Sequence, residues 1–137
     1  MTPTQANTQQ PLFAAQQLYT YKGDIAFSQN WNGKFFCKYL TTIRLSNLSK
    51  YHVGSIYRLM LDGEFLASAK IIDLRYCKVD ELPEWTCLLD TAYDKKNTVA
   101  MFKTMYSSKN IDWQTQQLVL IMLENLDFVN TTLKLKS

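Results

Sequence analysis

The sequence predicts an α+β fold, a small β-barrel with two helices inserted before its last strand. Three observations predict it. Extended segments rich in aromatic and β-branched residues dominate positions 24–77. The pattern breaks at Asp80 into helical spacing, and branched apolar residues return at Leu118–Leu123. Strands on both sides of a helical insertion suit a barrel that closes late rather than a βαβ sheet. The chain has 137 residues, 47% hydrophobic and 13% aromatic, which is material for one domain with one core.

Each element has its own local reason. Met1–Tyr21 carries no charge, is rich in Gln, Thr and Ala, and contains Pro3 and Pro11. It reads as a flexible arm, with Leu12, Phe13, Leu18 and Tyr19 available to dock on the body. The domain proper spans residues 22–127, and residues 128–137 form a tail. Asp24–Ser28 is a short strand, and Gln29–Gly33 is a turn cluster. Lys34–Leu45 reads as extended. Ile56–Leu61 and Glu64–Cys77 are strands joined by Asp62-Gly63, a strong two-residue hairpin signal. Along the second of these, Leu66, Lys70, Ile72 and Leu74 continue one alternation. Asp80 suits a helix N-cap, with Glu81 and Glu84 near the positive end of the dipole. Leu82, Trp85 and Leu89 recur at helical spacing up to Asp90-Thr91. Asp94–Lys109 is a second helix, with Val99, Phe102 and Tyr106 on one stripe. Leu118–Leu123 is a buried final strand, and Thr131–Lys136 is an edge strand or a frayed end. Trp85 and Phe102 belong to the core.

Composition excludes several classes. The longest uncharged apolar run, Leu118–Leu123, is too short to cross a bilayer, so no membrane is expected. No basic apolar leader with a cleavage site is apparent. Cys37, Cys77 and Cys87 are widely spaced with no CxxC, and His52 is the single histidine. A zinc site and a disulfide scaffold are excluded, no cofactor or metal is expected, and a reducing, cytoplasmic setting fits. Cys37 reads as a small buried hydrophobe and His52 as a surface turn residue.

The net charge is +3, but it is unevenly placed. Lys22–Lys78 carries nine basic and four acidic residues, whereas Val79–Asp127 carries four lysines and eight acids. Ile25–Arg58 holds five basic residues and no acid, a distribution that favours a phosphate-bearing partner. A solvated lysine-rich surface accounts for the same charges.

On a continuous strand, Lys34, Phe36, Lys38, Leu40, Thr42 and Arg44 share one face. A bulge or turn within it would break that parity. Lys38, Thr42 and Arg44 then set an ammonium, a hydroxyl and a guanidinium side by side, suited to an anionic or amide-bearing ligand. The structural alternative is an Arg44 salt bridge to Asp90 or another acid. Trp31, Phe36, Tyr39 and Tyr93 are candidates to stack on bases, although each residue type packs more often than it stacks.

Four segments in order carry a family resemblance: Gly33-Lys34, Thr41-Thr42-Ile43-Arg44, Tyr51-His52-Val53-Gly54 and Asp90-Thr91-Ala92-Tyr93. With them, residues 24–125 resemble the ASCH domains, a branch of the PUA-like β-barrel superfamily. The resemblance implies a PUA-like barrel that binds RNA or a nucleotide-like ligand in a basic cleft. Lys34, Lys38, Thr42, Arg44 and Tyr93 would be its ligand-binding residues. The spacing from Gly33-Lys34 to Thr42 is longer than the family's compact motif, so Lys34 or Lys38 takes the motif lysine's role. Ala92 stands where a glycine is common. Some ASCH proteins are amidohydrolases on an acetylated cytidine, using a lysine, a threonine nucleophile and a glutamate. Here Lys38 (or Lys34), Thr42 and Asp90 would be catalytic, with the shorter aspartate in place of glutamate. A ribonuclease using the same cleft, and a protein-interaction module without a small-ligand site, are the other readings.

Overall fold

The computed structural model describes residues 19–129 together with Thr131 and Leu135. Of the arm predicted for residues 1–21, only the last three lie within it.

Period-2 alternation and turn chemistry give five strands: β1 (Tyr21–Phe27), β2 (Tyr39–Leu45), β3 (Ile56–Leu61), β4 (Glu64–Cys77) and β5 (Leu118–Asn125). The β3–β4 hairpin closes on Asp62 (φ 50°) and Gly63 (φ 83°), the two left-handed residues that a tight hairpin turn requires. The sheet order is β1-β3-β4-β5-β2. β1 runs parallel to β3, and the other neighbours are antiparallel. The helices α1 (Glu84–Thr91) and α2 (Lys95–Met105) connect β4 to β5, as the composition break predicts.

The sheet is not a closed barrel. β1 and β2 are its two edges, and no backbone ladder joins them. The sheet curls far enough for one side chain to cross the gap: Arg44 Nη2 on β2 donates to the Ala26 carbonyl on β1 at 2.6 Å. The fully buried Phe35 plugs the same seam, edge-on to Phe27 with centroids 4.9 Å apart. Side chains close the seam where a ladder would close a barrel.

One apolar cluster fills the concave face, built on Ile25, Phe27, Leu40, Tyr57, Leu59, Ile71, Ile121 and Leu123. A second cluster, with Ile43, Leu118, Val79, Leu82, Cys87 and Phe102, holds the helices to the sheet. Leu118–Leu123 therefore lies at the centre of both.

Several expectations are corrected. Lys34 is not on a strand: Trp31–Phe36 forms a 3-10 segment, with Asn32 and Gly33 both left-handed. The first helix starts at Glu84, because Pro83 is extended and holds Leu82 extended before it. Asp80 sits instead in a short 3-10 turn, where Glu81 Oε1 accepts from the Lys78 amide at 2.7 Å. α2 ends at Met105, short of Lys109. In β4 an irregularity at Leu66 puts Ala67, Ala69 and Ile71 inward and leaves Lys70 exposed, and a second at Ile72, itself exposed, returns Leu74 to the core side. Trp85 is 67% exposed, not core, and Cys37 is exposed, not buried. Thr131 and Leu135 are helical rather than extended. Thr131 is buried and accepts from Asn125 Nδ2 at 3.1 Å, which anchors the chain after β5.

Candidate functional site

The seam between β1 and β2 opens into a cavity of about 340 Å³, at the lower end of the range for small-ligand sites. Its polar wall is Lys34, Thr42, Arg44 and Asp90; Trp31, Phe102 and Met105 lie among its apolar lining.

Lys34 reaches this wall because of the turn that carries it. The Phe35 amide donates to Asn30 Oδ1 at 2.9 Å, and Asn32 Nδ2 donates to the Leu89 carbonyl of α1 at 2.8 Å. These bonds fold the segment onto α1 and aim Lys34 at Asp90. Lys34 is 6% exposed. Its Nζ donates to Asp90 Oδ1 at 2.8 Å and to the Thr41 carbonyl at 2.6 Å. The Thr41 hydroxyl donates to the same Asp90 oxygen at 2.8 Å. Burial pushes the Lys34 amine below its ordinary value; Asp90 opposes that shift and Arg44 adds to it.

Asp90 is held by the last turn of α1. Thr91 Oγ1 donates to the Cys87 carbonyl, pairs with Thr98 Oγ1 at 2.9 Å, and accepts from the Tyr93 amide. Ala92 closes the helix in the left-handed region (φ 69°), the conformation for which glycine is common at this position.

Thr42 and Arg44 share the inward face of β2, as alternation predicts. Arg44 Nε donates to Thr42 Oγ1 at 3.1 Å, and the guanidinium lies over Phe27, 4.7 Å from the ring centroid. The anticipated Arg44 salt bridge is not formed: among the described residues no carboxylate lies within 4.0 Å of it. Lys38 lies outside the cavity and faces Glu124 at 3.9 Å, with half its side chain exposed. Tyr93 is half exposed and meets Trp31 edge-on at 6.3 Å. Of the predicted residues, Lys34, Thr42, Arg44 and Asp90 converge, while Lys38 and Tyr93 stand apart from the lining.

The hydrogen-bond inventory decides what this wall can take. Lys34 has three N–H groups and uses two. The Thr42 hydroxyl accepts from Arg44 and keeps its own hydrogen. Arg44 uses two of its five donors. Asp90 Oδ1 accepts twice, whereas Oδ2 has no partner among the described residues. The wall thus offers several donors beside one free carboxylate oxygen.

Sequence reasoning missed the role of Thr41, whereas Trp31, a stacking candidate in the sequence, lines the cavity. Thr41 lies on the opposite face of β2 from Thr42, so only the position of α1 shows that its hydroxyl reaches Asp90.

The curled five-stranded sheet with its late helical pair can be compared with solved structures. An ASCH domain from Lactobacillus crispatus JV V101 superposes over 82% of this chain and 84% of its own, with TM-score 0.57 and 14% identity. The fold is that of an ASCH domain. A protein of Enterococcus faecalis V583, described under the family DUF984, superposes over 86% of this chain and 89% of its own, with TM-score 0.61 and 12% identity. No family model and no curated protein matches the sequence. Within this ASCH-type fold, the cavity occupies the seam that a full barrel would close. Among the described residues, no helix is long and apolar enough to cross a membrane.

Proposed function

We propose that the seam cavity binds a nucleotide or one nucleotide unit of an RNA strand, with its phosphate on Arg44 and its base against Trp31 and Met105. The observation that carries this reading is Arg44, a cavity-lining guanidinium with unused donors and no carboxylate partner among the described residues. A phosphate supplies the acceptors that Arg44, Lys34 and Thr42 can bond. The free Asp90 Oδ2 takes an N–H from the base or sugar side. The ASCH-type fold supports the same reading.

Calorimetric titration with nucleoside monophosphates, the matching nucleosides and a short single-stranded RNA tests it. Monophosphates should bind more tightly than nucleosides. Arg44→Ala should weaken the monophosphate by about 1–3 kcal/mol, and Arg44→Lys should recover only part, because an ammonium lacks the planar fork. Equal affinity for nucleoside and monophosphate, or an unaffected Arg44→Ala, would sink the proposal.

A second reading rests on a separate observation, the bonded group of Lys34, Asp90 and Thr41. A buried amine of lowered pKa beside a carboxylate and two threonines suits an amidohydrolase acting on an acylated nucleoside. Thr42 borders the ligand space, and Thr41 shares the carboxylate with Lys34. Turnover of acetylated cytidine that is lost in Thr42→Val or Thr41→Val, with binding retained, would establish this reading. Binding without turnover would leave the site a receptor.

A further inference from the structure

The outer face of the sheet carries a feature that the seam cavity does not use. α1 stands off β2, β5 and β4 and leaves a groove of about 390 Å³ between helix and sheet. Its apolar lining includes Leu120, Met122, Trp85 and Leu89, and its rim carries Asp73 and Arg75. Trp85 is 67% exposed and Leu89 60% exposed, side by side on the groove's helical lip. Helical spacing usually buries such residues, yet here the second core cluster is filled from other positions, with Cys87 turned inward from α1. Lone surface hydrophobes are ordinary, but a large exposed indole next to an open apolar groove marks an interaction face.

We propose that this groove is the self-association face of the chain, occupied by α1 of a second copy in a two-fold dimer. Two properties of the patch favour a second copy over other occupants. The patch contains both halves of an apolar fit, since Trp85 is a projecting knob and the groove beside it is a receptacle. A two-fold axis pairs each knob with the partner's groove. The rim is also self-complementary in charge. Asp73 and Arg75 sit two residues apart on one strand, and their own pair (2.9 Å) is an exposed one that a partner can exchange. A two-fold axis passing through this rim would set Asp73 of each copy against Arg75 of the other. The local charge cancels, so the rim offers little to a polyanion, in contrast to the unpaired cation of the seam.

Sedimentation velocity over a wide concentration range tests the proposal on the full chain. The wild type should shift reversibly from monomer to dimer. Trp85→Ala should raise the dimer Kd by about 30-fold or more, as loss of a central aromatic anchor does. Arg75→Asp sets acid against acid and should also weaken the dimer, and the swap Asp73→Arg with Arg75→Asp should restore it. Both side chains are exposed, so unchanged circular dichroism and melting temperature will show that the variants are folded. The proposal is overturned by a wild type that stays monomeric to about 1 mM, the weakest range of useful affinity. It is equally overturned by a dimer that ignores Trp85→Ala and Arg75→Asp, or by a monomer that holds RNA on this face.

Discussion

Lys34 and Asp90 form a buried ion pair whose removal is asymmetric in cost. Truncating Lys34 alone leaves an almost fully buried carboxylate without its cation, so Lys34→Ala should destabilise the fold by about 3–5 kcal/mol in urea unfolding. The double variant Lys34→Met with Asp90→Asn removes both charges and should cost much less. The same pair predicts a pH dependence. Burial depresses the Lys34 amine, so the folded chain gives up this proton at a lower pH than the unfolded chain does. Between that depressed value and the ordinary lysine value of about 10.4, the unfolded state binds more protons, and stability rises with pH. Urea midpoints from neutral pH to about 10.5 should therefore move in favour of the wild type relative to the double variant. A flat difference would mean that Asp90 holds the amine at its ordinary value. Thr42→Val bears on the cavity instead. It deletes one neutral hydroxyl, so nucleotide affinity should fall by no more than about 1.5 kcal/mol, less than for Arg44→Ala.

The termini of the elements hold strain that substitution can relieve or add. Ala92 ends α1 at φ 69°, where a Cβ is disfavoured by about 1–2 kcal/mol. Ala92→Gly should raise the urea midpoint, by less than that figure because glycine also loosens the unfolded chain. At the β3–β4 turn the logic reverses. Gly63 has φ 83° with open space around it, so Gly63→Ala meets no clash but bears the left-handed cost, about 1–2 kcal/mol of destabilisation. The Asp62-Gly63 turn is legible in the sequence because two-residue hairpins demand this chemistry. The start of α1 is not legible from Asp80, since a good cap residue competes with a proline three positions later, and the proline wins. The bulge at Ile72 is equally silent, because nothing in Lys70–Leu74 marks an inserted residue, and it turns every later side chain of β4 to the other face.

Taken as a whole, the molecule is a sheet curled almost to closure and latched by side chains. β1 is an edge strand whose backbone ladder is with β3, and Arg44 on the Ala26 carbonyl ties it to β2 across the seam. Arg44→Ala should therefore speed hydrogen exchange in β1 more than in β5, which is paired on both sides and exchanges through wider unfolding. Uniform acceleration across both strands would show that Arg44 acts on global stability alone. Occupancy of the cavity should protect the same β1 amides, since a ligand on Arg44 binds at the latch.

Local chemistry set the elements of this protein. A continuous branched apolar run made Leu118–Leu123 a buried strand, turn chemistry made Asp62-Gly63 a hairpin, and alternation made Thr42 and Arg44 neighbours on one inward face, because each of these depends on residues a few positions apart. The convergence at the cavity depends on contacts across the chain. Lys34 and Lys38 are both lysines in the same extended-looking segment, and no local signal separates them. Lys34 enters the site because Asn32 bonds to α1, fifty-seven positions later, and folds the segment back toward Asp90. Lys38 stays outside because the strand begins only at Tyr39. Barrel closure has the same physics. The branched residues supply strands that can curl, but whether the last two edges zip together is decided by what fills the seam, and here Phe35 and Arg44 fill it in place of a ladder.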